Sequence, residues 1–134
     1  MENNNLYPLT KTKEFRLKLY PKDFLKVKDF YENLLGYPIV TSWDNENDKG
    51  AMFDTGVGII ELLTPKSGFI PIQGISISLK VSDVWTLWGK LKNHQSIVMP
   101  LNVRSWGDAT FKIADPEGFQ ISFFTQNKTR EDHN

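Results

Sequence analysis

The two halves of the chain carry the same order of predicted elements, and this duplication constrains the fold more than any single motif. The first half shows one alternating strand pattern, one amphipathic helix pattern and three more strand patterns, at residues 14–20, 23–36, 37–43, 50–54 and 57–63. The second half repeats that order at residues 75–81, 83–93, 97–103, 109–114 and 119–124. Asp23 and Asp83, which precede the two helices as N-caps, are 60 positions apart. The sequence therefore predicts an α+β fold of two βαβββ modules.

A four-residue motif joins the last two predicted strands. Asp115-Pro116-Glu117-Gly118 has Asp first, Pro second and Gly fourth, the residue preference of a type I turn. Strong alternation on both sides of this motif predicts a hairpin. We therefore interpret Asp115 and Glu117 as turn residues and not as catalytic carboxylates.

The length of the chain fits one domain with its own core. We expect this domain to cover residues 14–126, with module one at 14–64, a linker at 65–73 and module two at 74–126. The ends, residues 1–13 and 127–134, are polar and without pattern, so we expect them to be flexible.

Charge and composition exclude several classes of partner and chemistry. Sixteen basic residues balance sixteen acidic ones, so no overall positive field attracts nucleic acid or an anionic membrane. The chain has no cysteine, which excludes a thiol nucleophile, thiolate metal ligands and disulfides. Neither a signal-peptide pattern nor an apolar run of membrane-spanning length is present in the sequence. We expect a cytoplasmic protein with no nucleic-acid or membrane partner.

Apolar residues on one side of the predicted strands are expected to form the core against the helices. They are Phe15, Leu17, Leu19, Ile75, Ile77, Leu79, Val81, Phe119, Ile121 and Phe123. On the second helix, Trp85 and Trp88 are expected to join this core.

The opposite side of the strands is mostly polar and supplies the candidate ligand-binding residues. They are Arg16, Lys18, Tyr20, Glu61, Ser76, Ser78, Lys80, Gln120, Ser122 and Phe124. Aromatic side chains that would rim a hollow above this face are Trp43, Phe53, Phe69 and Trp106. The alternative is an ordinary solvated sheet face with an ion pair between Arg16 and Glu61.

The duplicated order, together with its local motifs, resembles the vicinal oxygen chelate superfamily over residues 14–126. The motifs are Asp23, Phe30-Tyr31 and Leu35-Gly36 in the first module, and Trp106-Gly107 and Asp115-Pro116-Glu117-Gly118 in the second. This superfamily includes glyoxalase I, extradiol dioxygenases, and bleomycin and fosfomycin resistance proteins. The resemblance implies curved mixed sheets around a cavity, with the helices outside. It also implies a homodimer, since relatives of this size pair their modules across a two-fold axis.

The resemblance further implies four metal-ligand positions, which this chain fills with Arg16, Glu61, Ser76 and Ser122. Only Glu61 is a competent ligand, because a guanidinium stays protonated and a neutral hydroxyl is a weak donor. The two histidines, His94 and His133, fall at the end of the second helix and in the tail, where we expect them on the surface. We therefore expect no metal and no cofactor.

Two functional hypotheses follow. Arg16, Lys18 and Lys80 against Glu61 leave an excess of two positive charges on the polar face, which favours a neutral or anionic, partly aromatic small molecule that the protein binds and sequesters. The alternative is a metal-independent lyase or isomerase in which Glu61 is the general base and Arg16 stabilises an oxyanion beside a carbonyl. A metal-dependent lyase or dioxygenase is less favoured because three ligand positions lack suitable donors.

Overall fold

The computed structural model describes residues 10–66 and 68–126. The chain divides into two compact units, Met1–Ser67 and Gly68–Asn134, and this division falls inside the predicted linker at 65–73. Most of the predicted flexible N-terminus, residues 1–9, and the whole predicted tail at 127–134 lie outside the described residues. Among the described residues, no helix is long and apolar enough to cross a bilayer.

The first unit is a βαβββ module with a four-stranded mixed sheet. Its elements are β1 (Arg16–Leu19), α1 (Phe24–Asp29), a π-helical turn (Phe30–Leu34), β2 (Ile39–Asn45), β3 (Asp48–Asp54) and β4 (Ile59–Leu63). The strand order is β1-β4-β3-β2, in which β1 runs parallel to β4 and the other neighbours are antiparallel. This is the predicted order of elements.

The first helix starts and stops where the sequence predicts, but its second half is not α-helical. The Asp23 carboxylate caps the start by accepting from the Lys26 backbone N–H at 3.2 Å, and Gly36 follows the end with φ +72°. In between, the Leu35 N–H donates to the Phe30 carbonyl, five residues back, at 3.0 Å. The wider turn accompanies the burial of two consecutive rings, Phe30 and Tyr31, which meet edge to face. Apolar spacing alone does not predict this turn.

The second unit repeats the module. Its elements are β5 (Ser76–Lys80), α2 (Val84–Leu91), β6 (Ile97–Val103), β7 (Ala109–Ala114) and β8 (Gln120–Thr125). The strand order β5-β8-β7-β6 matches that of the first unit, again with a parallel first pair. The Asp83 carboxylate caps α2, and its hydrogen bonds from Thr86 lower the pKa of that carboxyl. The predicted α+β fold of two βαβββ modules with mixed sheets is therefore confirmed.

The Asp115-Pro116-Glu117-Gly118 segment is the predicted turn. The Gly118 N–H donates to the Asp115 carbonyl at 2.9 Å, and Gly118 has φ +91°. The buried Asp115 carboxylate accepts from the backbone N–H groups of Glu117 and Phe119 at 2.8 and 3.1 Å. Asp115 thus has the structural role that its position predicts.

Each helix packs on one face of its own sheet, and the predicted core is confirmed in part. Leu19, Phe119, Ile121 and Phe123 are buried, whereas Leu17, Ile77, Leu79 and Val81 are half-buried. In the first unit, Tyr31 lies against Phe53 at a ring-centroid distance of 5.8 Å, and in the second, Trp88 lies against Phe111 at 5.2 Å. Fully or nearly fully buried core residues are Leu19, Val27, Phe30, Tyr31, Ala51, Phe53, Ile60, Leu62, Val84, Leu91, Ala109, Phe111, Ile113, Phe119, Ile121 and Phe123.

Three predicted core residues are exposed instead. Phe15 and Ile75 are 63% and 61% exposed, because each precedes the first residue of its strand. Trp85 is 46% exposed because it lies on the outer side of α2, one position after the buried Val84. Strand-end positions and the edge of a helical stripe are where a periodic pattern least determines burial.

Two phenylalanines in the first unit provide a direct test of this packing. We expect Phe53→Ala to lower the free energy of unfolding by about 3–5 kcal/mol, because it leaves a cavity beneath Tyr31. Phe15→Ala is the matched control, and we expect a change within about 0.5 kcal/mol because its ring is already in solvent. Urea denaturation followed by circular dichroism measures both. Equal losses for the two variants would contradict the assigned faces of β1 and β3.

Candidate functional site

Strand register gathers part of the predicted site on the sheet face of the first unit opposite α1. In register, Lys18 on β1 and Met52 on β3 flank Glu61 on β4. Ile60 and Leu62, on either side of Glu61, are buried in the core, so Glu61 points the other way. We call the surface formed by Arg16, Lys18, Trp43, Met52 and Glu61 the Glu61 face.

Glu61 is a buried carboxylate with an unmet hydrogen-bonding capacity. The residue is 5% exposed, and its Oε1 atom is buried without a hydrogen-bond partner among the described residues. The nearest cationic atom is an Arg16 guanidinium nitrogen at 3.8 Å, which is beyond hydrogen-bonding distance. A buried polar atom of this kind needs an explanation, because native structures contain few of them.

Arg16 is directed mainly to a different carboxylate. Its Nε donates to Glu14, and this hydrogen bond, together with the nearby charge of Glu14, raises the pKa of the Arg16 guanidinium. A terminal nitrogen of the same guanidinium lies 3.9 Å from the Met52 sulfur. Glu14 and Glu61 thus match the charges of Arg16 and Lys18, and the predicted excess of positive charge is absent from the first unit. That prediction was wrong there because it left Glu14 out.

Trp43 forms a flat aromatic surface on this face. In register it opposes Gly50, and a β-carbon at Gly50 would overlap the Trp43 ring. The indole Nε1 donates to the Asp48 carboxylate at 3.3 Å. The glycine therefore lets the indole lie against the strand, which is a recognised role of glycine within a strand.

One site candidate of the first unit, Phe53, does not join the Glu61 face. Phe53 is fully buried on the α1 side of the sheet, against Tyr31, so its assignment to a ligand rim is corrected to the core. Residues 50–54 alternate faces, and this alternation puts Met52 where the sequence analysis had put Phe53. Tyr20 follows the last residue of β1 and is exposed.

In the second unit, six predicted residues pair row by row across the parallel strands β5 and β8. These rows are Ser76 with Gln120, Ser78 with Ser122, and Lys80 with Phe124. The intervening positions, such as Ile121 and Phe123, are buried, so the six lie on the face away from the core. We call this surface the Ser122 face. It has no carboxylate at the positions equivalent to Glu61.

Two residues that the site prediction omitted, Lys112 and Met52, lie on these faces. Trp106, which was predicted, lies away from them. Lys112 on β7 pairs in register with Ser122, which adds a cation to the Ser122 face. The alternation of Lys112 with Phe111 and Ile113 was the sequence signal that places it on this face. Met52 was also omitted, although its alternation with Ala51 and Phe53 was available in the sequence. Trp106 lies in the segment between β6 and β7 and is 52% exposed.

Each unit contains a hollow among its described residues. A groove of about 770 Å³ at the start of α1 contains no predicted site residue and is lined by Pro21, Lys22, Asp23, Phe24, Leu25, Glu46, Asn47, Lys49, Thr64 and Pro65. A hollow of about 320 Å³ in the second unit includes Ser76 and Gln120, and its other lining residues are Ile72, Gly74, Ile75 and Gly118.

The family model of the glyoxalase/bleomycin resistance protein/dioxygenase superfamily matches residues 15–123. The chain belongs to this superfamily. The match spans both modules, as the resemblance in the sequence predicted. Comparison with curated proteins finds no match.

Solved structures show the same fold at low sequence identity. TioX from Micromonospora sp. ML1 is 20% identical, with 87% of this chain and 100% of that chain covered and a TM-score of 0.69. A superfamily member from Sphaerobacter thermophilus DSM 20745 is 20% identical, with coverages of 87% and 98% and a TM-score of 0.67. Lactoylglutathione lyase from Agrobacterium tumefaciens is 16% identical, with coverages of 87% and 95% and a TM-score of 0.64. Identities this low support a common fold and no common activity.

The side chains at the superfamily's metal positions do not fit a metal ion. Arg16 is a cation bound to Glu14, and Ser76 and Ser122 offer neutral hydroxyls. Within residues 10–66 and 68–126, no three His, Cys, Asp or Glu side chains are grouped to hold a metal. The His94 Nδ1 accepts from the Ser96 backbone N–H at 3.0 Å, and His133 lies outside the described residues.

The two buried carboxylates, Asp115 and Glu61, are expected to respond differently to neutralisation. We expect Asp115→Asn to lower the free energy of unfolding by about 1 kcal/mol or more, because two backbone N–H groups lose a charged acceptor. We expect Glu61→Gln to cause no loss, because it removes a buried charge that accepts no hydrogen bond at Oε1. Thermal and urea denaturation measure both variants. A loss for Glu61→Gln as large as that for Asp115→Asn would mean that the Arg16–Glu61 pair is structural.

Proposed function

We propose that this superfamily member binds and sequesters a small neutral or anionic, partly aromatic molecule without using a metal. The observation that carries the proposal is the buried Oε1 of Glu61, which has no hydrogen-bond donor among residues 10–66 and 68–126 although it lies in a folded sheet. Burial of an unsatisfied carboxylate destabilises the free protein. A ligand that supplies the missing donor would compensate for that cost.

The surroundings of Glu61 support an aromatic ligand. Trp43 lies flat over Gly50 on the same sheet face, and an indole surface favours ring stacking. Binding sites commonly combine such apolar walls with a few polar groups that determine orientation. Separately, on the Ser122 face of the second unit, Lys80 and Lys112 suit an anionic group.

An enzyme is the second candidate, favoured by the 3.8 Å separation of the Arg16 guanidinium from Glu61 Oε1. A carboxylate beside a guanidinium is a pairing that proton abstraction next to a carbonyl can use, with Glu61 as base and Arg16 as oxyanion stabiliser. The hydrogen bond from Arg16 to Glu14 counts against it, because it directs the guanidinium elsewhere. Turnover of a carbonyl compound that Glu61→Gln abolishes would establish the enzyme.

We predict that the protein lacks a tight site for divalent metals. Three of the four superfamily positions carry Arg16, Ser76 and Ser122, so one carboxylate from Glu61 would have to hold the ion nearly alone. Isothermal titration calorimetry with zinc, nickel and manganese measures this. A stoichiometric submicromolar site that Glu61→Ala removes would contradict the prediction and restore the metal-dependent class.

A fluorescence screen tests the proposed binding. We expect neutral or anionic aromatic compounds to quench tryptophan emission, and Trp43→Phe to remove most of that quenching because Trp43 forms the ring-stacking surface. Trp85→Phe is the matched control, since Trp85 lies exposed on α2. Hits that are mainly cations, or quenching that survives Trp43→Phe, would overturn the proposal.

The homodimer remains a prediction that rests on membership of the superfamily. The cytoplasmic location remains a prediction that rests on the sequence. The exposed Val57 and Ile75 side chains are consistent with surfaces that a second copy covers. We expect light scattering to give the mass of a dimer at micromolar concentration. A monomer mass over a wide concentration range would contradict the prediction.

A further inference from the structure

The surface between Trp43 and Glu61 is apolar, and Glu61 is the acceptor at its end. Gly50, which lies beneath the Trp43 ring, pairs with Leu63, and Met52 pairs with Glu61. Gly50 and Glu61 are therefore diagonal neighbours on antiparallel strands, with Cα atoms about 7–8 Å apart. Leu63 and Met52 flank this diagonal. One aromatic ring together with one hydrogen bond spans the distance between Gly50 and Glu61.

Charge on this face favours a neutral partner for Glu61. The guanidinium of Arg16 already neutralises part of the local negative charge from 3.8 Å, and Lys18 lies beside Glu61 in register. A second cation placed at Glu61 would be repelled by both. A neutral O–H or N–H group supplies the donor without that repulsion.

Flexible side chains lie beside the Glu61 carboxylate. Arg16 and Met52 contact each other beside the carboxylate, and both are unbranched side chains with several rotatable bonds. The Nε of Arg16 donates to Glu14, so the guanidinium keeps this hydrogen bond when a ligand approaches.

Resting on the proposed function, we propose that the ligand class is a neutral aromatic molecule with one hydrogen-bond donor, a phenol or an aryl N–H compound. Its donor bonds to the Glu61 carboxylate, and its ring packs on Trp43 between Met52 and Leu63. Glu61 is thus the residue that selects hydroxylated over methylated rings.

Matched pairs of small molecules test this selection in the full-length protein. The first pair is 2-naphthol and 2-methoxynaphthalene, which share a ring system but differ in the donor. The second pair is benzyl alcohol and benzylamine, which compare a neutral donor with a cation at pH 7. Titrations are followed through the indole N–H signal of Trp43 in the NMR spectrum, identified by its loss in Trp43→Phe.

We expect 2-naphthol to bind about 10-fold to 100-fold more tightly than its methyl ether, the range for a hydrogen bond to a charged group. Glu61→Leu should reduce this ratio to near one, because it removes the acceptor that distinguishes the naphthol from its ether. Glu61→Gln, which keeps the shape of the side chain, should give an intermediate ratio. Glu46→Gln is the control, because it neutralises an exposed carboxylate in the turn between β2 and β3.

Each contrary result has a distinct meaning. Equal binding of the naphthol and the ether to the unmodified protein would overturn the inference and leave the proposed function standing. Tighter binding of benzylamine than of benzyl alcohol would overturn the neutral class of ligand. If no probe shifts the Trp43 signal while the broader fluorescence screen finds hits, the inference fails alone. If that screen also fails, the proposed function fails with it.

Discussion

The central position of β4 in the first sheet determines most of what this site is. β4 lies between β1 and β3, so its side chains are fixed from both sides by register. Ile60 and Leu62 are buried in the core, and a strand that buries both must present Glu61 on the opposite face. A shift of one residue would place a carboxylate against Tyr31 and Phe53. The hydrophobic demand of the core therefore holds the acidic side chain on the Glu61 face.

The two modules share a backbone plan but differ in the chemistry of their outer faces. The first carries a buried carboxylate on β4, a guanidinium on β1 and an indole on β2. The second carries hydroxyls, an amide and the lysines Lys80 and Lys112, with no acid at the equivalent position. Duplication explains the common order of strands, because both modules repeat one βαβββ unit in which the sheet packs on its helix. It places no such constraint on the outer faces, where the two modules have diverged.

Most of the fold was predictable because its signals are local and repeated. The caps Asp23 and Asp83, the turn at Asp115 and the alternation in β7 and β8 each follow from backbone hydrogen bonding or side-chain periodicity. The site was predictable in part, since Arg16, Lys18 and Glu61 share a face by alternation. Phe53 was assigned to the rim and Met52 was left out, because an aromatic residue near a polar segment was taken for a rim residue. The alternation within β3 already distinguished the two.

By itself the sequence determined the order of elements, the superfamily and the face on which Glu61 lies, since these depend on neighbours within a few residues. Only the tertiary structure decided the partners of that face. The Glu14 carboxylate accepts a hydrogen bond from the Nε of Arg16, and Gly50 leaves room for the Trp43 ring. Within the part of the chain that the structure describes, Oε1 of Glu61 has no hydrogen-bond donor. Such pairings depend on how side chains from distant strands meet within hydrogen-bonding distance, and a periodic pattern along the chain does not encode those distances.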